Sequence, residues 1–228
     1  SKKDILTHYP VDPGKIDVVY SAAKEIFRPL DPQEKEDTRS RYTGGREYFV
    51  YAGAIHPRKN LDNLLKAFSI FKKRQRSGLK LVLAGRLAWK YKSFTESLAS
   101  YKYREDVIMT GYLDEKELVK IIGAAYVMVY PSLWEGFGVP VLEAMQCHVP
   151  VIASVNSPMQ EIAGDAIMTV DPNDYTDIAE KMMTIYKDET LRSQLIEKGK
   201  KAVSRFSWEK TAQLLWNTMM KAVPAEHE

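Results

Sequence analysis

From residue 47 onward, short unbroken apolar runs alternate with longer stretches whose apolar residues recur every three to four positions. A run of four to six apolar residues with no polar alternation has to be covered on both faces, which is the environment of a strand inside a parallel sheet. Parallel neighbours need a crossover long enough for a helix, and the stretches between the runs supply it. The pattern therefore predicts an α/β chain: a parallel sheet with helices on both faces. The strand candidates are 48–52, 79–84, 107–110, 126–130, 149–153 and 167–170. Helices are expected over 60–73, with Asn60 as N-cap, and over 114–124. After Asp171-Pro172 three more follow, near 174–187, 188–205 and 207–222, the last carrying a stripe of Trp208, Ala212, Leu215 and Met219 that reads as a closing element.

The first 46 residues differ in texture. They hold Pro10, Pro13, Pro29 and Pro32, a short strand candidate at Ile16 to Tyr20, and a charged stretch from Gln33 to Arg41. They read as a connecting segment leading into the domain proper. With 45% hydrophobic and 28% charged residues the 228-residue chain is an ordinary globular one, which excludes wholesale disorder. No apolar run approaches the roughly 20 residues of a membrane helix. A formal charge of +3 is too even to imply a nucleic-acid partner. The single cysteine, Cys147, excludes an intrachain disulfide and fits a reducing compartment. The first residue is Ser1, and no signal-peptide pattern follows, so the start reads as a cut end.

The segment richest in chemistry is Trp134-Glu135-Gly136-Phe137-Gly138-Val139-Pro140-Val141-Leu142-Glu143, directly after the strand candidate at 126–130. A strand ends, a Gly-x-Gly turn follows, and Pro140 falls where a helix would begin. Free amides at such a helix start suit an anion, and the glycines admit it closely. A carboxylate repels phosphate, so Glu135 and Glu143 on either side of the turn suggest acceptors for hydroxyl groups, the outline of a nucleotide sugar. A second turn, Gly53-Ala54-Ile55-His56-Pro57-Arg58-Lys59-Asn60, follows the first strand candidate and offers a guanidinium and an ammonium for phosphate. Taken singly, each turn could be no more than a tight corner with surface charges. In a doubly wound sheet both open on the same rim.

Glu135-Gly136-Phe137-Gly138-x-Pro140-x-x-Glu143 resembles the E-x7-E signature of the retaining glycosyltransferases of family 4, and Gly53 to Asn60 resembles their G-x-x-x-P-R-K-N motif. Similarity extends over most of 47–222. It includes Leu83-Ala84-Gly85, Thr110-Gly111-Tyr112-Leu113, Pro131-Ser132, Val151-Ile152-Ala153-Ser154, Ala163-Gly164-Asp165-Ala166 and Phe206-Ser207-Trp208. The resemblance implies a Rossmann-like domain, the C-terminal, donor-binding half of a two-domain GT-B enzyme. Residues 1–46 would then be the tail of the first domain and its linker, 47–206 the nucleotide-sugar-binding domain, and 207–228 a closing helix.

By similarity Glu143 would hold the ribose hydroxyls and Glu135 those of the transferred hexose. Arg58 and Lys59 would neutralise the leaving diphosphate, with the amides of Phe137, Gly138 and Val139. Gly53 would shape the phosphate turn, and Gly111-Tyr112-Leu113 would meet the base. Ala54 departs from the pattern, since many members carry Arg there; Arg86 could help. The implied partners are a UDP- or GDP-sugar donor, the missing N-terminal acceptor domain and a glycan or lipid-linked acceptor, with no nucleic acid. No cofactor or metal is expected, and the sequence has no Asp-x-Asp. The implied location is the cytoplasm or, through the missing domain, the periphery of the inner membrane. A chain of this extent would not transfer sugar unaided. A GT-B sugar-nucleotide epimerase and a non-catalytic nucleotide-sugar-binding module remain open alternatives.

Other features have plainer readings. His56 reads as a surface residue in the phosphate turn; His8, His148 and His227 lack ligand spacing. Cys147 reads as a buried small side chain. Lys72-Lys73-Arg74-Gln75-Arg76 reads as a basic last helical turn, and Met182, Met183, Met219 and Met220 as core or interface filler. Trp89, Tyr91, Tyr101 and Tyr103 could line the cleft or pack on the sheet.

Overall fold

The computed structural model describes residues 2–88 and 92–222, without the side chains of Lys92 and Ser93; Ser1, Trp89, Tyr91 and His227 lie outside the described residues. Six parallel strands form one sheet in the order β3-β2-β1-β4-β5-β6. They are β1 (Tyr48–Ala52), β2 (Lys80–Ala84), β3 (Val107–Gly111), β4 (Val127–Tyr130), β5 (Val151–Ser154) and β6 (Ile167–Val170), each within two residues of its sequence expectation. β1 and β4 are buried along their whole length, which explains why they read as unbroken apolar runs. Their register pairs Phe49 with Val127 and Val50 with Met128.

The helices follow in chain order: α1 (Lys2–His8), α2 (Pro32–Thr43), α3 (Leu61–Gln75), α4 (Lys92–Ala99), α5 (Glu115–Gly123), α6 (Val139–Gln146), α7 (Pro158–Ala163), α8 (Tyr175–Lys187), α9 (Glu189–Val203) and α10 (Trp208–Ala222). α3 turns Leu61, Leu64, Leu65, Phe68 and Phe71 inward, and Phe71 meets Phe49 edge-on at 5.0 Å. α8 buries Ile178, Ala179, Met182 and Met183 against the same core.

Three expectations are corrected. Ile16 to Tyr20 is not a strand; with no neighbouring edge to pair with, its apolar residues do not make one. The charged stretch from Gln33 is helix α2, with a capping box between Asp31 and Glu34, Pro32 in the first turn and Gly44 left-handed at the end. Ala22, Ala23, Phe27 and Leu30 are buried and the Arg39 Nε donates to the Ala124 carbonyl at 3.0 Å, so packing of the domain begins well before residue 47. Finally, the stripe on α10 is not buried: the helix has no buried residue, Trp208, Leu215, Trp216, Met219 and Met220 are all exposed, and its ties to the chain include the Thr211 hydroxyl donating to the Tyr20 carbonyl at 2.7 Å and Lys221 pairing with Asp17 at 2.7 Å.

Lys72 lies in the last turn of α3, as expected, but turns inward. It donates to the Leu79 carbonyl at 3.1 Å and pairs with Asp106 at 3.0 Å, tying the end of α3 to the strand that follows it.

Candidate active site

In an open α/β sheet the crevice lies where the strand order reverses, at the carboxyl ends of the two strands flanking that point. Here those strands are β1 and β4, and the loops leaving them are the two turns singled out in the sequence. They are clasped together. The Leu133 amide donates to the Arg58 carbonyl at 2.8 Å, the Arg58 guanidinium donates to the Trp134 carbonyl at 3.0 Å, and Asn60 Nδ2 donates to the carbonyls of Pro131 at 3.0 Å and Pro172 at 2.6 Å. Asn60 therefore stands at the N-cap of α3 without capping it; it is left-handed, with φ 62°, and its side chain is a cross-tether.

Gly53 and Gly85 let the ends of β1 and β2 approach. A Cβ on Gly85 would sit 1.9 Å from the Gly53 carbonyl oxygen, and one on Gly53 would meet the Tyr51 hydroxyl at 2.9 Å. Arg86 lies on the adjoining loop, its carbonyl accepting from the Ile55 amide at 2.9 Å and its side chain exposed. His56, half-buried, accepts from the Arg58 amide at 3.2 Å through Nδ1 and so shapes the turn.

The two cations are not bare. Glu135 pairs with Arg58 at 3.0 Å and, at short range, with Lys59. The Lys59 and Glu135 side chains are 8% and 9% exposed, against 43% for Arg58. Burial opposes both charges and depresses the Lys59 pKa, whereas at Glu135 the two cations outweigh burial and hold the carboxyl below its usual range. Ser132 Oγ is wholly buried beside this cluster but outside hydrogen-bonding geometry.

Gly138 caps α6 in a left-handed conformation, φ 102°, which carries the chain over Met159; a Cβ there would meet Met159 Cγ at 2.5 Å. No side chain caps α6, and the amides of Gly138 and Val139 have no hydrogen-bond partner among the described residues. Gly136 has open space where a Cβ would stand. The Phe137 ring anchors the turn from beneath, 6.0 Å from Tyr20 and 6.1 Å from Phe206.

Glu143 points elsewhere than Glu135. It is half-buried on α6, near Lys24 and Glu115, and makes no hydrogen bond or ion pair among the described residues. Burial pushes its pKa up to about 7. Glu115 opens α5, just past the loop Gly111-Tyr112-Leu113. In that loop Gly111 is left-handed at φ 70°, Tyr112 is 79% exposed and Leu113 leans on the core. The two carboxylates thus serve opposite flanks of the turn, one beside the cations and one beside the β3 loop.

Several residues that no motif flagged border the site. A cleft of about 520 Å³ is lined by Leu133, Trp134, Glu135 and the β5–α7 loop, with Lys3 and Asp4 of α1 across it. Tyr101 points away: its hydroxyl donates to the Leu65 carbonyl at 2.8 Å and its ring meets Tyr103 at 6.1 Å. Cys147 is buried, its pKa raised to about 12 by that burial. Among the described residues no group of three His, Cys, Asp or Glu side chains is placed to hold a metal ion, and no helix is long and apolar enough to cross a membrane.

A parallel sheet whose two central strands send clasped loops out at its switch point defines the class of open, doubly wound α/β domains. Within it, the family model for glycosyl transferases group 1 matches residues 32–202, and the chain belongs to that family. It is 31% identical over 205 residues to the O-antigen chain mannosyltransferase B of Escherichia coli, covering 90% of this chain and 53% of that protein. The O-antigen chain mannosyltransferase RfbU of Salmonella typhimurium is 26% identical over 222 residues, 97% of this chain and 57% of its own length. The chain spans about half the length of these relatives.

Among solved structures, Anabaena Alr3699/HepE in complex with UDP and glucose superposes with a TM-score of 0.87 at 15% identity, over 96% of this chain and 60% of that one. The C-terminal domain of a group 1 glycosyl transferase, LpcC of Francisella tularensis, superposes with a TM-score of 0.70 at 22% identity, over 81% of this chain and 97% of that one. The fold is that of one half of a GT-B glycosyltransferase.

Proposed function

We propose that this chain is the donor-binding half of a retaining glycosyltransferase that moves a hexose from a nucleoside diphosphate sugar to a glycan or lipid-linked acceptor. The observation that supports the reading is the clasp of the β1 and β4 loops, which holds Arg58 and Lys59 against Glu135 on the loop that leads into α6. Departure of the diphosphate builds negative charge on its oxygens. Arg58, Lys59 and the amides of Gly138 and Val139 are preorganised to meet that charge in a partly desolvated site.

Glu135 would exchange its cations for hydroxyls of the hexose, and Glu143, with no hydrogen bond or ion pair among the described residues, would accept from the ribose. Gly111-Tyr112-Leu113 would meet the base, with Arg86 a possible helper at the phosphates. The names of the relatives make mannose the first hexose to test. No step in this scheme routes through a metal. The acceptor would be held largely by the other half of the enzyme, so the chain alone is expected to bind donor weakly and not to transfer.

Calorimetry with UDP, GDP and their sugars tests the reading. Binding of at least one nucleoside diphosphate, weakened tenfold or more by Lys59→Ala and by Glu143→Ala, is the expected result. No binding of any of them, or binding indifferent to both substitutions, would refute it. Release of free nucleotide by the whole enzyme only when an acceptor is supplied separates transfer from epimerisation and from mere binding.

A further inference from the structure

Beneath the cluster of Arg58, Lys59 and Glu135 lies Tyr130, the last residue of β4, only 1% exposed. Lys59 Nζ donates to its hydroxyl at 2.6 Å and stands 4.8 Å from its ring centroid. The ring stacks on Tyr51 at 5.6 Å with 15° between planes, but the Tyr51 hydroxyl donates to the Ala54 carbonyl at 3.0 Å and takes no part in holding the ammonium.

An ammonium has three N–H donors. One goes to Tyr130 and one to Glu135, and the third has no acceptor among the described residues. These two partners differ in kind. Glu135 sits on a loop and shares itself between Lys59 and Arg58, so it can be exchanged. Tyr130 sits on an interior strand, locked by packing on both faces, so it cannot. Burial also raises the phenol's pKa far above its usual value, so the hydroxyl stays neutral. It accepts from the cation without cancelling its charge, as a carboxylate in that place would.

We infer that Tyr130 is a positioning residue: its hydroxyl keeps the Lys59 ammonium aimed at the diphosphate and charged when Glu135 is drawn away to the sugar. This rests on the reading above, that Lys59 meets the phosphates. It follows that Tyr130 acts on ligands through their phosphate groups alone, and only by way of Lys59.

The test is Tyr130→Phe, which keeps the ring and removes one oxygen, with Tyr51→Phe as the packing control. Binding of a nucleoside diphosphate and of its parent nucleoside is measured by calorimetry across pH. The expected result is a five- to twentyfold loss for the diphosphate, none for the nucleoside, and none for either with Tyr51→Phe. The alkaline limb of diphosphate binding should move to lower pH, because a buried ammonium deprived of an acceptor releases its proton more readily. In a Lys59→Ala background the same substitution should change nothing further.

Equal losses for nucleoside and diphosphate, an undiminished effect in the Lys59→Ala background, or no loss at all would overturn the inference. Failure of the unsubstituted chain to bind any nucleoside diphosphate would instead strike the proposed function itself. Should Tyr130→Phe not fold, 3-fluorotyrosine at position 130 retains the hydroxyl as a weaker acceptor. A smaller loss in the same direction supports the inference, and no loss overturns it.

Discussion

Arg58 and Leu133 lie 75 positions apart in sequence, yet the Leu133 amide donates to the Arg58 carbonyl at 2.8 Å. The loop after β1 and the loop after β4 are therefore one body, and the cations on the first are held in register with the carboxylate on the second. Transition-state charge is stabilised most by groups that need little rearrangement when it forms. Under the proposed function the rigidity of this clasp would matter to binding, and it can be tested apart from the charges.

Asn60 is the uncharged member of the clasp. Asn60→Ala removes the donor to the buried Pro131 carbonyl and one of the two donors to the half-buried Pro172 carbonyl, which keeps Asn63 at 3.1 Å, and leaves a non-glycine residue at φ 62°; a loss of roughly 2 kcal/mol in urea denaturation is expected. Asn60→Gly relieves the backbone strain and should recover about 1 kcal/mol of that loss. Both variants should weaken nucleoside diphosphate binding alike, since neither restores the tether.

Glu143 gives the chain a pH signature. Its pKa rises from the ordinary 4.5 to about 7 in the fold, so between those values the folded state keeps a proton that the unfolded chain has lost. Stability therefore falls as pH rises through that window and is flat above it. Glu143→Gln should remove the slope and raise stability at pH 8 by roughly 2 kcal/mol, read from denaturation midpoints at pH 5 and 8. A steeper slope in the variant would contradict the assignment. Donor binding should move the opposite way, strengthening through the same window as the carboxylate becomes an acceptor.

Gly138→Ala meets two penalties at once: a left-handed φ of 102° and Met159 Cγ at 2.5 Å. A cost of about 2–4 kcal/mol is expected, measured by thermal or urea unfolding. Met159→Ala in the same chain relieves the clash but not the dihedral, so rescue should be partial. Full rescue would show that only space was at issue.

Helix α10 predicts tolerance. Because it buries no residue, Leu215→Ala and Trp216→Ala should each shift stability by no more than about 0.5 kcal/mol. Phe68→Ala on α3, whose ring is fully buried, should cost about 3–5 kcal/mol. The contrast checks that α10 lies outside the cooperative core.

The strands were legible because a strand buried on both faces has no freedom to vary its polarity: β1, β4 and β6 begin and end within a residue of the apolar runs that announce them. α2 was equally legible at its start, where Asp31, Pro32 and Glu34 spell out a capping box. Its body gives no periodic signal because it has almost no apolar stripe; only Thr38 and Thr43 are buried along it. The segment from Ile16 to Tyr20 has the composition of a strand, but a strand needs a neighbour, and composition does not supply one. The stripe on α10 misled for a related reason: periodicity reports that a face is apolar, not that anything covers it.

By itself the sequence determined the α/β class, the two turns and the residue types they carry, because these follow from burial, glycine geometry and the chemistry of single side chains. Only the tertiary structure decided the pairings. Glu135 and Glu143 are the same residue type eight positions apart, yet one is held ionised by Lys59 and Arg58 from the β1 loop, and the other is driven toward protonation by burial on α6. Tyr130 was legible only as a core residue of a strand; its hold on Lys59 spans 71 positions. A charge in a protein is governed by what surrounds it in space, and those neighbours are brought from distant parts of the chain by the folding of the sheet.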